Sequence, residues 1–139
     1  MKIKNILITF ISALAILFST SVVSFAKVVG DKIVLGAAIS LTGKYSSNGV
    51  HTQNGYNMAV DRINSMGGIK VNGKTYKFDI IYYDDESNPK RAAQLAERLI
   101  SQDGVEFMLG PYSSGLTKAI APVTEKYGCL LYTSPSPRD

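Results

Sequence analysis

The apolar stretch Phe107-Met108-Leu109 runs through Gly110-Pro111-Tyr112 into two adjacent hydroxyls, Ser113 and Ser114, followed by Gly115. A strand that passes through a glycine turn into the start of a helix is a place that holds anions. The first backbone N–H groups of a helix lack intrahelical partners and carry partial positive charge, so a carboxylate or phosphate can sit on them while serine hydroxyls add hydrogen bonds. The competing reading is that serine acts here only as a helix N-cap, a common use that needs no ligand.

Other chemistries find little support. A dinucleotide site needs a G-x-G-x-x-G turn after the first strand, and Gly36, Gly43 and Gly49 are too far apart. Gly43-Lys44-Tyr45 lacks the hydroxyl and the upstream glycine of a phosphate-binding loop. In a G-x-S-x-G nucleophile turn the serine would stand where Tyr112 is, and the sole histidine, His51, falls on the surface of a helix. Asp84, Asp85 and Glu86 are successive carboxylates at a strand end; they do not converge on one point, and the expectation is a solvated loop or a helix N-terminus partner. No catalytic set, metal site or cofactor site is therefore expected. Cys129 is the only cysteine and lies in an apolar run, as a small core residue would.

These residues need elements to position them, and the hydrophobic pattern supplies a regular series. Asp31 to Ser40 reads as a buried strand and Leu41 to Asn48 as a polar loop. Tyr56, Ala59, Val60 and Ile63 form one helical stripe within residues 49–66, closed by Gly67-Gly68. Asn72-Gly73 predicts a tight hairpin leading into a second strand, Tyr76 to Tyr83. Asn88 as N-cap and Pro89 in the first turn open a helix whose face is Ala92, Leu95, Ala96 and Leu99. A third strand, Val105 to Leu109, precedes the serine loop. The last helix, from Ser114 to Tyr127, should kink or restart near Ala121 because Pro122 lacks an N–H, and Cys129 to Tyr132 is a fourth strand.

Strand and helix alternate through helix-length crossovers, which predicts an α/β fold: a three-layer parallel sheet with helices on both faces. In such open sheets ligands bind beyond the carboxyl ends of the strands, and both Thr42 to Gly49 and Gly110 to Gly115 belong to that edge.

The N-terminus predicts export. Lys2 and Lys4 precede an apolar run from Ile6 to Phe18, and Ser24-Phe25-Ala26 offers small residues for cleavage after Ala26, so residues 1–26 read as a signal peptide. Thr9, Ser12, Ser19, Thr20 and Ser21 dilute the run below the ~20 apolar residues of a membrane span. Residues 1–26 hold two of the 15 basic residues and none of the 11 acidic ones, leaving the remainder at a net charge of +2. Its lysines and arginines form no basic stripe, so nucleic acid is not an expected partner.

Ile33-Val34-Leu35-Gly36-Ala37, Leu41-Thr42-Gly43, Met66-Gly67-Gly68-Ile69, Tyr82-Tyr83-Asp84-Asp85-Glu86-Ser87-Asn88-Pro89, Leu109-Gly110-Pro111-Tyr112-Ser113-Ser114 and Glu125-Lys126-Tyr127-Gly128 together resemble the N-terminal part of a type I periplasmic solute-binding protein, on the leucine/isoleucine/valine-binding branch. The resemblance spans nearly all of residues 31–132 in the family's order and spacing. It implies a receptor of two α/β lobes that closes on an amino acid or similar small molecule and delivers it to the membrane permease of an ABC transporter, monomeric when complete and without cofactor. By position, Ser114 would donate to the ligand carboxylate, with Ser113 and Tyr112 beside it and Tyr45 and Asn48 lining the cleft from the first loop. Residues 27–132 would then be the N-terminal part of the first lobe. Ser134-Pro135-Ser136-Pro137 departs from the family pattern, and residues 133–139 read as a non-native or truncated tail. Two rival readings are a ligand-sensing receptor domain, which would carry a downstream span and signalling module, and an exported α/β hydrolase, which would need a histidine and an acid from elsewhere.

Overall fold

A computed structural model describes residues 27–133; the expected signal peptide and residues 134–139 of the tail lie outside the described residues. In chain order the elements are β1 (Val28–Val29), β2 (Lys32–Ile39), α1 (Ser46–Ser65), β3 (Ile69–Val71), β4 (Lys74–Asp84), α2 (Pro89–Ser101), β5 (Phe107–Leu109), α3 (Ser114–Lys126) and β6 (Leu130–Tyr132). The sheet order is β3-β4-β2-β5-β6, with β1 paired to β2. The pairs β4–β2, β2–β5 and β5–β6 are parallel, as the helical crossovers require, while β3 and β1 join as antiparallel hairpin arms. Asn72 and Gly73 take the positive φ angles, 51° and 80°, expected of the β3–β4 turn.

Alternation along the strands sorts the side chains between two layers of helix. Val34 and Ala38 of β2 and Met108 of β5 face α2 and α3, joining Ala92, Ala96, Leu99, Val105, Leu116, Ile120 and Cys129 in one buried core. Ile81 and Tyr83 of β4 pack on the same side, whereas Tyr82 between them reaches α1 through Asn57, its hydroxyl donating to Oδ1 at 2.8 Å. The predicted helical face of α2 and the buried placement of Cys129 agree with this core. α1 covers the β4 side of its layer, and beyond it Phe107, Leu130 and Tyr132 leave the same sheet face exposed.

Three sequence expectations require correction. α1 begins at Ser46, a turn earlier than the stripe suggested, so Asn48 belongs to the helix and not to the preceding loop. α3 runs through Pro122 as one helix over Ser114–Lys126, so of the kink or restart expected there the restart does not occur. The acidic turn is not a solvated loop, because Asp85 is wholly buried and Asp84 is engaged by backbone from another part of the chain.

Candidate functional site

In the chain order of the parallel strands, β4 is added on one side of β2 and β5 on the other. The carboxyl ends of β2 and β5 therefore flank the point where the winding reverses, the location at which open α/β sheets hold ligands. Two segments leave that point: residues 40–45, from β2 to α1, and residues 110–113, from β5 to α3. The adjoining turn after β4, residues 85–88, borders the first of them.

Residues 40–45 are held by this turn. Asp84 Oδ1 accepts from the backbone N–H of Leu41 (2.9 Å), Thr42 (3.2 Å) and Glu86 (2.9 Å), and Oδ2 accepts from the Thr42 hydroxyl (2.7 Å). The Ser87 hydroxyl donates to the Thr42 carbonyl and accepts from the Tyr45 N–H, both at 2.9 Å. Deeper in, Asp85 Oδ1 accepts from the Ser40 hydroxyl (2.6 Å) and the Ser87 N–H (2.8 Å), while its Oδ2 is buried without a hydrogen-bond partner among the described residues. Glu86 and Ser87 adopt φ of 54° and 60°, a left-handed pair costing roughly 1–3 kcal/mol each, which persists because surrounding bonds over-determine the turn.

The two carboxyls respond oppositely to this setting. Burial alone would raise the Asp84 pKa, but the Thr42 hydroxyl and the Glu86, Leu41 and Thr42 amides outweigh it and hold the group below its ordinary value. For Asp85 burial wins over the Ser40 and Ser87 bonds, the Asp84 charge pushes the same way, and the pKa is raised.

Glycine is required twice on this wall. Gly43, at φ 79°, would place a Cβ 2.6 Å from the Glu86 carbonyl oxygen. Gly49 in the first turns of α1 lies so close to β2 that a Cβ would fall 1.8 Å from the Ser40 carbonyl oxygen. Only a residue without a side chain lets α1 rest against the strand end there.

Residues 110–113 are tied at one end. The Gly110 N–H donates to the Tyr132 carbonyl (2.8 Å) and its carbonyl accepts from the Tyr56 hydroxyl (2.7 Å), which pins β5 to α1. Burial, followed by the nearby Tyr132, raises the Tyr56 pKa above its ordinary value. Beyond Gly110 no side chain among the described residues ties this segment by a hydrogen bond except Thr117, at the Ser113 carbonyl. Ser113 is the N-cap of α3 yet its side chain makes no cap bond, only its carbonyl accepting from Thr117, and Ser114 and Tyr112 are exposed. Tyr45, the N-cap of α1, likewise makes no side-chain cap bond. By contrast α2 is capped by Asn88 Oδ1, which accepts from Lys90 (2.9 Å) and Arg91 (3.2 Å). The two helices that open at the reversal point thus keep first-turn N–H groups free of side-chain caps, and the helix beside them does not.

Of the residues singled out in the sequence, Ser113, Ser114 and Tyr112 sit on the β5–α3 connection and Tyr45 at the end of the β2–α1 connection, half-buried against the core. Asn48 is in the first turn of α1, where its carbonyl accepts from the Thr52 hydroxyl. Sequence reasoning missed Asp84, Ser87 and Tyr56, whose partners lie about 40 to 54 residues away in the chain. No group of three or more His, Cys, Asp or Glu among the described residues is placed to hold a metal ion.

Comparison with known proteins agrees with this architecture. A leucine/isoleucine/valine-binding protein, BraC3 of Rhizobium johnstonii, is 30% identical over 133 residues, covering 96% of this chain and 32% of the relative. A Pseudomonas aeruginosa protein described as binding leucine, isoleucine, valine, threonine and alanine is 33% identical over 103 residues, covering 74% of this chain and 26% of its own. Among solved structures, the substrate-binding protein LivJ of the Streptococcus pneumoniae branched-chain amino acid transporter, in complex with isoleucine, superposes with a TM-score of 0.67 at 31% identity, over 73% of this chain and 28% of that one. This chain spans about a third or less of the length of each. The family model of periplasmic binding proteins matches residues 32–138, well over half of the chain. The chain belongs to the periplasmic binding protein family.

Proposed function

We propose that this chain is the N-terminal part of the first lobe of an extracytoplasmic substrate-binding component of an ABC importer, with branched-chain or related amino acids as substrate and a membrane permease as partner. The observation that carries the proposal is the start of α3 at the reversal point, where among the described residues no side chain caps the first-turn N–H groups beside Ser113 and Ser114. Such an arrangement suits a carboxylate, the group that every amino acid presents whatever its side chain. Ser114 is assigned as the hydroxyl donor to that carboxylate, with Ser113 and Tyr112 as neighbours and Tyr45 and Asn48 on the facing wall. The names of the relatives support amino acids as the substrate class and transport, not turnover, as the role. A second lobe would close over the ligand and supply contacts to its ammonium and side chain, and closure would present a new surface to the permease.

Calorimetric titration of leucine, isoleucine and valine into a two-lobed protein carrying residues 27–132, with 3-methylbutylamine as the analogue of leucine lacking a carboxylate, tests the reading. Saturable binding of the amino acids and none of the amine is expected. Equal binding of the amine would remove the carboxylate from the account, and no binding of any amino acid would overturn the substrate class.

A further inference from the structure

Of the residues assigned to ligand contact, the acidic turn after β4 hydrogen-bonds only Tyr45 among the described residues, and it holds that residue by its backbone. We propose that Asp84 is a positioning residue: its carboxylate, together with the Ser87 hydroxyl, sets the shape of residues 41–45 and so places Tyr45 and the start of α1 at the cleft. The proposal rests on reading residues 41–45 as one wall of an amino-acid cleft.

The geometry concentrates on one side chain. Asp84 receives two consecutive backbone N–H groups, Leu41 and Thr42, and the Thr42 hydroxyl, which is the arrangement of an anion held in a backbone concavity, here with the anion supplied by the protein itself. Ser87 completes the clasp by bonding the Thr42 carbonyl and the Tyr45 N–H, so the loop is held at both ends. Gly43 lies between the two anchors and passes close to the Glu86 carbonyl, which leaves no space for the loop to slide towards the turn. The turn is fastened from behind as well. The Arg91 guanidinium donates from Nε to the Asp84 carbonyl (3.1 Å) and pairs with Glu86 (3.3 Å), and Asp85 is anchored to Ser40 at the end of β2. A wall built this way is rigid before the ligand arrives, which cuts the ordering cost of binding.

The consequence is specific to charge. Asp84→Asn keeps size but replaces one acceptor oxygen by a donor and removes the charge that gathers the N–H groups. Thr42→Val removes the hydroxyl donor, and Thr42→Ser restores it. In hydrogen exchange on the chain, Asp84→Asn should speed exchange of the Leu41 and Thr42 amides tenfold or more, with the Ala37 and Met108 amides of the sheet unchanged. In a two-lobed protein carrying this lobe, the same variant should weaken amino-acid binding about tenfold, with Thr42→Val intermediate and Thr42→Ser close to wild type. Unchanged exchange at Leu41 and Thr42, or an equal rise at Ala37 and Met108, would overturn the clasp. Faster loop exchange with unaltered affinity for leucine, where Ser114→Ala does weaken binding, would overturn the positioning role and leave the site itself standing. If wild-type protein binds none of the amino acids, the cleft reading falls and with it the positioning role, whereas the exchange result still decides the clasp.

Discussion

The two segments that leave the reversal point are built on opposite plans. Residues 40–45 are clasped at Leu41, Thr42 and Tyr45 by the acidic turn, whereas residues 110–113 are fixed at Gly110 and thereafter leave the hydroxyls of Ser113 and Ser114 and the first turn of α3 without side-chain partners among the described residues. A rigid wall offers orientation and an uncommitted donor set offers bonding capacity. The difference teaches that hydrogen-bonding groups are spent internally on one segment and left without side-chain partners on the other, which is the contrast the proposed cleft relies on.

That contrast can be broken from the clasped side first. Gly49→Ala forces a methyl into the Ser40 carbonyl, and overpacking of this kind typically costs about 1–3 kcal/mol, occasionally more. A clear drop in the thermal midpoint is expected; an unchanged midpoint would mean that α1 does not rest on β2 as described. On the other segment, Tyr56→Phe removes the side-chain tie that Gly110 has among the described residues and takes a donor from its carbonyl, costing about 1–2 kcal/mol in denaturant unfolding. A loss below a few tenths would show that the tie carries no weight.

The cap comparison is sharper though smaller. Asn88→Ala should cost about 1 kcal/mol, because two N–H groups lose their acceptor, while Ser113→Ala should be nearly neutral for stability. Equal costs would mean that Ser113 does cap α3 and is not held in reserve.

The two aspartates provide the subtlest test. Asp84 has a folded pKa below its unfolded one, so its stabilising contribution is complete above the ordinary value of 3.8 and is lost as pH falls through the lower folded value. Asp85 has a raised folded pKa, so its contribution is complete below 3.8 and is lost as pH rises through the higher folded value. Side-chain carboxyl resonances followed by NMR should therefore titrate on opposite sides of 3.8, Asp85 at the higher pH. The reverse order would contradict the hydrogen bonding assigned to the turn.

Local signals in the sequence read out well where the physics is local. Asn88-Pro89 opened α2, Asn72-Gly73 turned the hairpin, and Ala92, Leu95, Ala96 and Leu99 faced the core because capping, turn geometry and helical periodicity each act within a few residues. The start of α1 at Ser46 departs from the sequence expectation for an equally physical reason. Ser46 to Asn48 has the composition of a loop, but the Ser46 N–H donates to Gly43 and Gly49 fits against β2, so tertiary contact extends the helix backwards. The clasp was illegible because Asp84 meets Leu41 and Thr42 only through the parallel register that sets Ile39 beside Asp84. Three adjacent acids in a sequence look alike; one became an anchor, one was buried and one faced solvent.

The proposed site stands or falls on whether the start of α3 receives a carboxylate. Isothermal calorimetry of leucine binding to Ser114→Ala in a two-lobed protein carrying this lobe tests it most directly. A loss of about 1–3 kcal/mol is expected for a missing hydrogen bond to a charged group, with the thermal midpoint of the unliganded protein unmoved. Unchanged affinity would place the carboxylate elsewhere and contradict the site.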